Sequence, residues 1–305
     1  MNPPGRPDGE PLSSRSAVRP LVMGVLNVTP DSFSDGGLHD APGVAVERVA
    51  TMVAEGADVI DVGGESTRPG AAPVDPAGEQ ARVLPVLEAI AGPCRDAGVR
   101  ISVDTRNEST ARAAAALGAT LLNDVSASLW PVAADLGVGW VAMHMLGDPR
   151  TMQASPRYDD VVADVGSFLR ARVADARAAG VEEVWVDPGI GFGKTTAHNL
   201  ALLGRLDELV ADGTPVVVGT SRKRSLGLLL ARSDAGMAPH PGPPGGSAAF
   251  EGPGPVPVED RLAGSLSTAT WAMILGARMV RVHDVGATVQ AVAVAAAAGA
   301  ARAAS

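Results

Sequence analysis

The sequence predicts an α/β protein, a (β/α)8 barrel in a single domain. Its 305 residues are enough for one large barrel. About eight short runs of Val, Ile and Leu recur along the chain, each followed by a longer alanine- and leucine-rich stretch with helical spacing. Continuously apolar runs are typical of parallel strands that are buried on both faces. A doubly wound sheet is the alternative, but it usually has fewer units and a glycine-rich nucleotide turn near its start.

The predicted strands can be placed one by one. In chain order they are LVMGVLN from residue 21, DVIDVGG from 58, VRISVDT from 99, TLLNDVS from 120, GWVAMHM from 139, VEEVWVDPG from 181, PVVVGTSRK from 215 and RMVRVHDV from 278. Nearly every one ends in a polar or charged residue, and in a barrel these ends converge on the carboxyl-terminal face, where active sites lie. The residues are Asn27, Asp61, Asp104, Asn123, His144, Asp187, Lys223, Arg281 and His283. One such residue often only caps the next helix, but the whole set predicts a site.

The rest of the chain sets the boundaries and excludes several classes. Residues 1–19 are predicted to be a disordered tail, residues 20–300 the barrel domain, and the Pro/Gly-rich stretch 234–258 a surface insertion. A net charge of −9 argues against a nucleic-acid partner. The chain has no apolar run of about 18 residues, so no membrane span is expected. Its single cysteine, Cys94, is compatible with a reducing compartment, so the cytoplasm is the expected location.

The stretch DPGIGFGKTT, residues 187–196, superficially resembles a nucleotide P-loop. That motif needs a glycine five residues before Gly193, and this position holds Pro188. An ATP site is therefore not predicted. Lys194 is instead expected at the start of the following helix, supporting the loop.

Two polar loops follow the first two predicted strands, LNVTPDSFSDGG from Leu26 and GGESTRPGA from Gly63. Either can be an ordinary solvated turn. The amide of Asn27 can also ligate a hard cation or face a phosphate, and Thr67 and Arg68 are suited to bind phosphate oxygens.

Buried acids and amides on neighbouring strands predict a nitrogen-rich ligand. Asp104, Asn123 and Asp187 would form a costly core unless paired, and an aminopyrimidine edge would pair them. Helix capping by the two aspartates is the alternative. Arg281 and Lys223 add positive charge near the loops after the last two strands, a common phosphate site in barrels. His144 is expected to be a core histidine.

Taken together, the motifs resemble the dihydropteroate synthase family over about residues 20–300. The matching stretches are LNVTPDSFSDGG, DVGGESTRPGA, SVDT, LLNDVS, MHMLGDPRTMQ, DPGIGFGKTTAHNL, SRK and RVHDV. The resemblance implies a dimeric barrel transferase that condenses 6-hydroxymethyl-7,8-dihydropterin diphosphate with 4-aminobenzoate, uses Mg²⁺ and is a target of sulfonamides.

The resemblance also implies roles for individual residues. Asp104, Asp187 and Lys223 would be catalytic. The pterin would be held by Asp104, Asn123, Met143, Asp187 and Lys223. The diphosphate would be held by Asn27, Thr67, Arg68, Arg281 and His283, with Asn27 also at the metal. The aminobenzoate would lie against Pro69, Phe192, Ser221 and Arg224.

One departure and three alternatives accompany this resemblance. Many members have Ser and then an apolar or aromatic residue after SRK, whereas this chain has Arg224 and Ser225, which predicts altered sulfonamide affinity. A non-catalytic paralogue would typically break the GGESTRPG or SRK loop. A corrinoid-linked methyltransferase pterin domain should lack SRK and RVHD. A P-loop NTPase is disfavoured by Pro188.

Overall fold

The computed structural model describes residues 19–29, 41–65, 74–148, 151–238 and 253–303. Eight parallel strands form one sheet in the order β6-β5-β4-β3-β2-β1-β8-β7. A parallel bridge between Val186 and Val216 joins the two edges, so the predicted (β/α)8 barrel is confirmed. The strands are β1 (Leu21–Asn27), β2 (Val59–Gly63), β3 (Arg100–Asp104), β4 (Leu121–Asp124), β5 (Gly139–Met143), β6 (Val184–Asp187), β7 (Val217–Val218) and β8 (Met279–Val282).

Helices follow the strands and surround the sheet. Those described are α1 (Ala41–Ala54), α2 (Pro76–Asp96), α3 (Glu108–Ala116), α4 (Trp130–Leu136), α5 (Val161–Ala178), α6 (Thr196–Gly204), α7 (Leu206–Val210), α8 (Arg224–Asp234), α9 (Leu262–Ile274) and α10 (Val285–Ala303). A 3-10 turn at Glu259–Arg261 precedes α9. Residues 1–18 of the predicted tail and 239–252 of the predicted insertion lie outside the described residues. Among the helices described, none combines the length and apolar character needed to cross a bilayer.

Two apolar layers hold the barrel together. The larger one packs the outer face of the sheet against the helices, and its bulkiest fully buried side chains include Trp140, Met52 and Ile90. The smaller one fills the inside of the barrel with Leu21, Met23, Val59, Leu121, Val141, Trp185, Val217 and Met279. Full burial of such a side chain stabilises the fold by about 1.5–3 kcal/mol. The inner layer also fixes which residues of each strand face the barrel axis.

An ion-paired cluster lies at the amino-terminal ends of the strands. Arg100 begins β3 and donates from Nη1 to both carboxylate oxygens of Glu183, at 3.0 and 2.9 Å. Glu183 also accepts the indole N–H of Trp185 at 3.0 Å. This end of the barrel is therefore filled by paired charges and a buried tryptophan.

Candidate active site

The polar strand ends predicted from the sequence face the inside of the barrel. Side chains alternate between the two faces of a strand, so residues two positions after the inner apolar layer share its orientation. In that phase lie Asp61 after Val59, Asn123 after Leu121, Met143 after Val141, Asp187 after Trp185 and Arg281 after Met279. Strand register places Asp104 beside Asn123 and Met143 beside Asp187. The carboxyl-terminal end of the barrel is thus lined by acids, an amide and a cation.

An arginine bridges two of these acids. Arg281 donates from Nε to Asp61 Oδ2 at 2.6 Å and from Nη2 to Asp104 Oδ2 at 2.7 Å. Asn123 donates from Nδ2 to the same Asp61 oxygen at 2.9 Å. Residues 220 positions apart in the chain therefore form one hydrogen-bonded network. It positions the guanidinium of Arg281 and the carboxamide of Asn123 inside the barrel.

Burial displaces the protonation equilibria of this network. The pKa of Asp104 is raised to about 7, chiefly by burial and further by the nearby carboxylates of Asp61 and Glu79, while Arg281 opposes the rise. The two carboxylates around Arg281 keep the pKa of its guanidinium above its ordinary value, although burial opposes this. Perturbed groups of this kind are concentrated at functional sites.

A second charged pair joins Asp187 at the end of β6 to Lys223, which lies after β7 at the start of α8. Burial raises the pKa of Asp187, and the neighbouring Lys223 opposes the rise. Asp187 accepts the backbone N–H of Gly189 at 2.7 Å. Burial lowers the pKa of Lys223 to about 8, and its ammonium lies 4.3 Å from the centroid of the Phe192 ring and bonds to the carbonyl of Ile190. This cation therefore lies between an acid and an aromatic face.

Lys194, the residue that gives the loop its P-loop appearance, is buried and bonds within the protein. Its ammonium contacts His144 Nδ1 at 3.0 Å, the His144 carbonyl at 3.3 Å and the Phe192 carbonyl at 3.1 Å. Burial lowers its pKa to about 7 and that of His144 to about 3. Thr195 caps α6 immediately afterwards. Lys194 thus ties the β6 loop to the end of β5, and His144 lies in the core.

Gly189 has a positive φ of 66°, and a Cβ there would lie 1.8 Å from the His144 carbonyl oxygen. A glycine is therefore required at this crossing. The loop is also fastened at Gly191, whose carbonyl accepts from Gln153 at 2.6 Å and whose N–H donates to Asn199 at 2.7 Å. The position of Phe192 is accordingly fixed by its neighbours on both sides.

The loops after β7 and β8 meet each other. Ser221 is buried, and its hydroxyl lies 3.1 Å from His283 Nδ1 and accepts the His283 backbone N–H at 3.2 Å. Arg222 has a positive φ of 60° and forms two bonds to Asp284, with Nε to Oδ2 at 3.0 Å. The ion pair holds this strained backbone in place. It thereby fixes the neighbouring residues Ser221 and Lys223.

The remaining predicted residues are distributed as follows. Asn27 ends β1 opposite Gly63 and is partly exposed. Arg224 begins α8 and is exposed. Thr67, Arg68 and Pro69 lie outside the described residues, so their roles stay predictions.

Sequence reasoning assigned no role to Asp61, although it lies at the centre of the network. It was visible only as one polar strand end among many. Its position in the strand is a usable signal. Asp61 lies two residues after the inner-layer residue Val59 and two residues before Gly63, which is paired with Asp104, so its side chain faces the inside of the barrel. Asp124 was also missed: its carboxylate accepts the N–H groups of Ser128 and Leu129 and the Trp140 indole. That anchoring holds the strand end that carries Asn123.

The fold and this polar end define a barrel enzyme with a site for a nitrogen-rich ligand. The family model described as pterin binding enzyme matches residues 23–283. Dihydropteroate synthase of Escherichia coli strain K12 is 44% identical over 278 residues, with 89% of each chain covered.

Two solved structures are similar as well. Dihydropteroate synthase of Xanthomonas albilineans with 4-aminobenzoic acid gives a TM-score of 0.79 at 43% identity, covering 92% of this chain and 94% of that chain. The same organism's enzyme in complex with 7,8-dihydropteroate gives 0.76 at 40%, covering 92% and 94%. The chain therefore belongs to the dihydropteroate synthase family of pterin-binding enzymes.

Proposed function

We propose that this protein condenses 6-hydroxymethyl-7,8-dihydropterin diphosphate with 4-aminobenzoate, giving 7,8-dihydropteroate and diphosphate. The observation that carries the proposal is the set of polar side chains at the ends of β3, β4 and β6, Asp104, Asn123 and Asp187, with Lys223 near Asp187. Asn123 and Asp187 are buried, and the side chain of Asp104 is 11% exposed. The similar enzyme of Xanthomonas albilineans has been solved with 4-aminobenzoic acid and in complex with 7,8-dihydropteroate. Each of these three side chains has a partner within the protein, and the acceptor atoms that these bonds leave over could bind the donors of a ligand.

The pterin ring is matched by the chemistry of these side chains. Its amino and ring N–H groups donate, and carboxylates such as Asp104 and Asp187 accept. Its carbonyl and ring nitrogens accept, which suits the ammonium of Lys223. Met143 is buried beside Asp187 and would supply an apolar wall. The catalytic role that we assign to Asp104, Asp187 and Lys223 begins with this binding.

The diphosphate would face the cations on the opposite side of the barrel. Arg281 uses two of its N–H donors on Asp61 and Asp104 and has others left for phosphate oxygens, because an arginine carries five. His283 follows on the same strand edge, with Ser221 at its Nδ1. Thr67, Arg68 and Asn27 would complete the site, as the family resemblance implies.

The aminobenzoate would lie between Phe192 and the first turn of α8. The N-cap residue of this helix, Lys223, makes no capping hydrogen bond with its side chain, and the positive end of the helix dipole favours a carboxylate there. Ser221 and Arg224 flank that turn, and Pro69 would close the other side. The amine of the substrate would then point towards the pterin methylene.

The geometry suits a reaction in which the leaving group departs first. The bond between the methylene carbon and the diphosphate oxygen breaks, and its electron pair leaves with the diphosphate. The positive charge left on the pterin methylene is stabilised by the carboxylates of Asp104 and Asp187, which are already in place. The amine nitrogen then forms the C–N bond and loses a proton.

This order can be tested directly. With a substrate labelled at the oxygen that joins the pterin methylene carbon to phosphorus, we expect positional isotope exchange without aminobenzoate. Retention of the label in its original position would count against a free cation.

Mg²⁺ is proposed as the metal of this reaction. Asn27 offers an uncharged oxygen at the mouth of the barrel, and Mg²⁺ is commonly held by one or two protein oxygens together with substrate phosphates and water. Among the described residues, no group of three or more His, Cys, Asp and Glu side chains could hold a metal, so the substrate would have to supply most of the ligands. When bound, the ion would neutralise charge on the departing diphosphate.

We further propose a homodimer and a cytoplasmic location, together with a single domain over residues 20–300. The family resemblance supports the dimer, and Trp271 and Ile274 expose apolar surface three residues apart on α9. Sedimentation of the purified chain would measure the assembly state. A monomer at micromolar concentration would overturn the proposed homodimer.

One assay tests the function itself. Purified protein is incubated with the dihydropterin diphosphate and 4-aminobenzoate, with and without Mg²⁺, and 7,8-dihydropteroate is measured. We expect product that depends on both substrates and on the metal. Binding of the pterin without product would indicate a non-catalytic relative.

A further inference from the structure

Asp61 is the most completely buried member of the network, and its carboxylate has no exposed surface. It belongs to β2 and reaches across the barrel to Arg281 on β8 and along the sheet to Asn123 on β4. One oxygen, Oδ2, accepts from both partners, at 2.6 and 2.9 Å. Asp61 is therefore joined to a residue proposed to bind pterin and to another proposed to bind diphosphate.

We propose that Asp61 is a positioning residue, whose carboxylate fixes the carboxamide of Asn123 and the guanidinium of Arg281 in the orientations that receive the substrate. The identity of that substrate rests on the function proposed above. The effect of Asp61 is transmitted through its two partners.

The Asn123 carboxamide can present either nitrogen or oxygen to the pocket. An ionised carboxylate only accepts hydrogen bonds, so Asp61 selects the rotamer in which Nδ2 faces it. The carboxamide oxygen is then left on the other side of the group, where it can accept from a ring N–H. Without an acceptor at Asp61, the two orientations would become comparable in energy and half of the molecules would present the wrong group.

Arg281 is held from two sides. Nε bonds to Asp61 and Nη2 bonds to Asp104, which restricts both rotation and tilt of the planar fork. A guanidinium held only by Asp104 could turn about that single contact. Asp61 thus defines the direction in which the remaining N–H donors of Arg281 point.

The second oxygen of Asp61 supports a role that is completed by a ligand. Oδ1 is buried and has no hydrogen-bond partner among the described residues. An unsatisfied buried acceptor is costly and is uncommon in native proteins. A water enclosed when the pocket is occupied would satisfy this oxygen.

The test compares substitutions at Asp61 with one at Asp58, a matched control. Asp58 is buried immediately before the same strand, pairs with Arg19 at 2.8 Å and accepts the Val22 N–H at 2.9 Å, but lies at the opposite end of the barrel. The measurement is the Kd of 6-hydroxymethylpterin by calorimetry. We expect Asp61→Leu to weaken binding about 10-fold to 100-fold, the range for a lost hydrogen bond to a charged group.

Two further variants separate positioning from general damage. Asp61→Asn keeps an oxygen that can accept from Asn123, so it should retain most of the affinity that Asp61→Leu loses. Asp58→Leu should lower the unfolding midpoint and leave the pterin Kd unchanged. If Asp61→Leu does not fold, Asp61→Ser takes its place in the same series.

A double variant tests whether the effect passes through the amide. If Asp61 acts through Asn123, the pair Asp61→Leu and Asn123→Ala should bind pterin no more weakly than Asn123→Ala alone. Losses that multiply both in this double variant and in Asp61→Leu combined with Arg281→Ala would overturn the proposal, as would an Asp61→Leu affinity within about twofold of the wild type. These readings need only binding, so a wild-type protein that binds pterin but forms no dihydropteroate would contradict the proposed reaction and still decide the role of Asp61.

Discussion

The two ends of the barrel both bury charged side chains, but they treat them differently. At the amino-terminal end, Arg100 bonds to both oxygens of Glu183 and donates to the Thr120 carbonyl at 2.8 Å. At the carboxyl-terminal end, Arg281 is shared between two carboxylates, and one of them retains an unpaired oxygen among the described residues. The first arrangement is closed, whereas the second leaves donors and acceptors for another molecule.

The protonation equilibria separate the ends in the same way. Burial raises the pKa values of Asp104 and Asp187 and lowers that of Lys223, all at the carboxyl-terminal end. Groups whose charged forms are disfavoured gain most when a ligand supplies complementary donors and acceptors. The amino-terminal end of the barrel therefore contributes to the stability of the fold, and the carboxyl-terminal end contributes the binding groups.

The largest effect is expected at Asp187, whose negative charge is proposed to stabilise the pterin cation. Asp187→Asn keeps the shape of the side chain and an acceptor for Gly189, but removes the negative charge that would stabilise the pterin cation. Product formation should fall by about 100-fold to 1,000-fold, as for other preorganised electrostatic groups, while the thermal midpoint stays equal or rises because a buried charge is gone. The turnover number and a thermal melt would be measured together. A thermal midpoint that falls along with the turnover number would contradict this distinction between the two ends of the barrel.

The converse substitution is Glu183→Gln at the closed end. It leaves Arg100 without a charged partner, and both side chains are largely shielded, at 19% and 8% exposure. Loss of one partner of a fully buried pair costs about 3–5 kcal/mol of unfolding free energy. Because Arg100 keeps some contact with solvent, we expect about 3 kcal/mol or less, measured by urea denaturation. The turnover number of the folded enzyme should be unchanged. A variant with normal stability and reduced turnover would contradict the distinction between the two ends of the barrel.

The sequence predicted the strands of the barrel better than the arrangement of the side chains at its carboxyl-terminal end. Apolar runs identified all eight strands, and the run LVMGVLN coincides with β1, because burial on both faces demands a local pattern. The role of Asp61 could not be predicted in the same way, because its partner Arg281 lies 220 residues away. The orientation of an amide and the pKa of a carboxyl depend on neighbours that only the closed barrel brings together. The sequence did indicate Lys194 as a support, since Pro188 broke the P-loop pattern.

A smaller and reversible effect is expected from pH at the open end. Asp104 must be ionised to accept from the pterin, and its pKa is about 7, so affinity should rise with pH up to that value. Lys223 must be protonated to donate, and its pKa is about 8, so affinity should fall above it. Calorimetry of 6-hydroxymethylpterin binding between pH 5.5 and 9.5 would give the profile. Asp104→Asn should shift the acid limb to a different pH and leave the alkaline limb in place, because Asp187, whose pKa is also raised by burial, contributes the remainder. An unchanged acid limb in that variant would assign it to another group.

The smallest effect is expected at the rim of the open end, where α8 begins. Ser225 is partly buried in the first turn of α8, beside the exposed Arg224, where the family resemblance implies an apolar or aromatic residue. Ser225→Phe would return apolar surface to the side of the proposed aminobenzoate site, and we expect sulfonamide inhibition to strengthen by about 3-fold to 10-fold, as for a partly buried aromatic contact. Inhibition constants against 4-aminobenzoate would be compared with those of Ser233→Phe, which places the same ring on the last turn of the same helix. Equal constants in the wild type and in Ser225→Phe would show that this rim does not contact the inhibitor, and the open end would then be confined to the charged interior of the barrel.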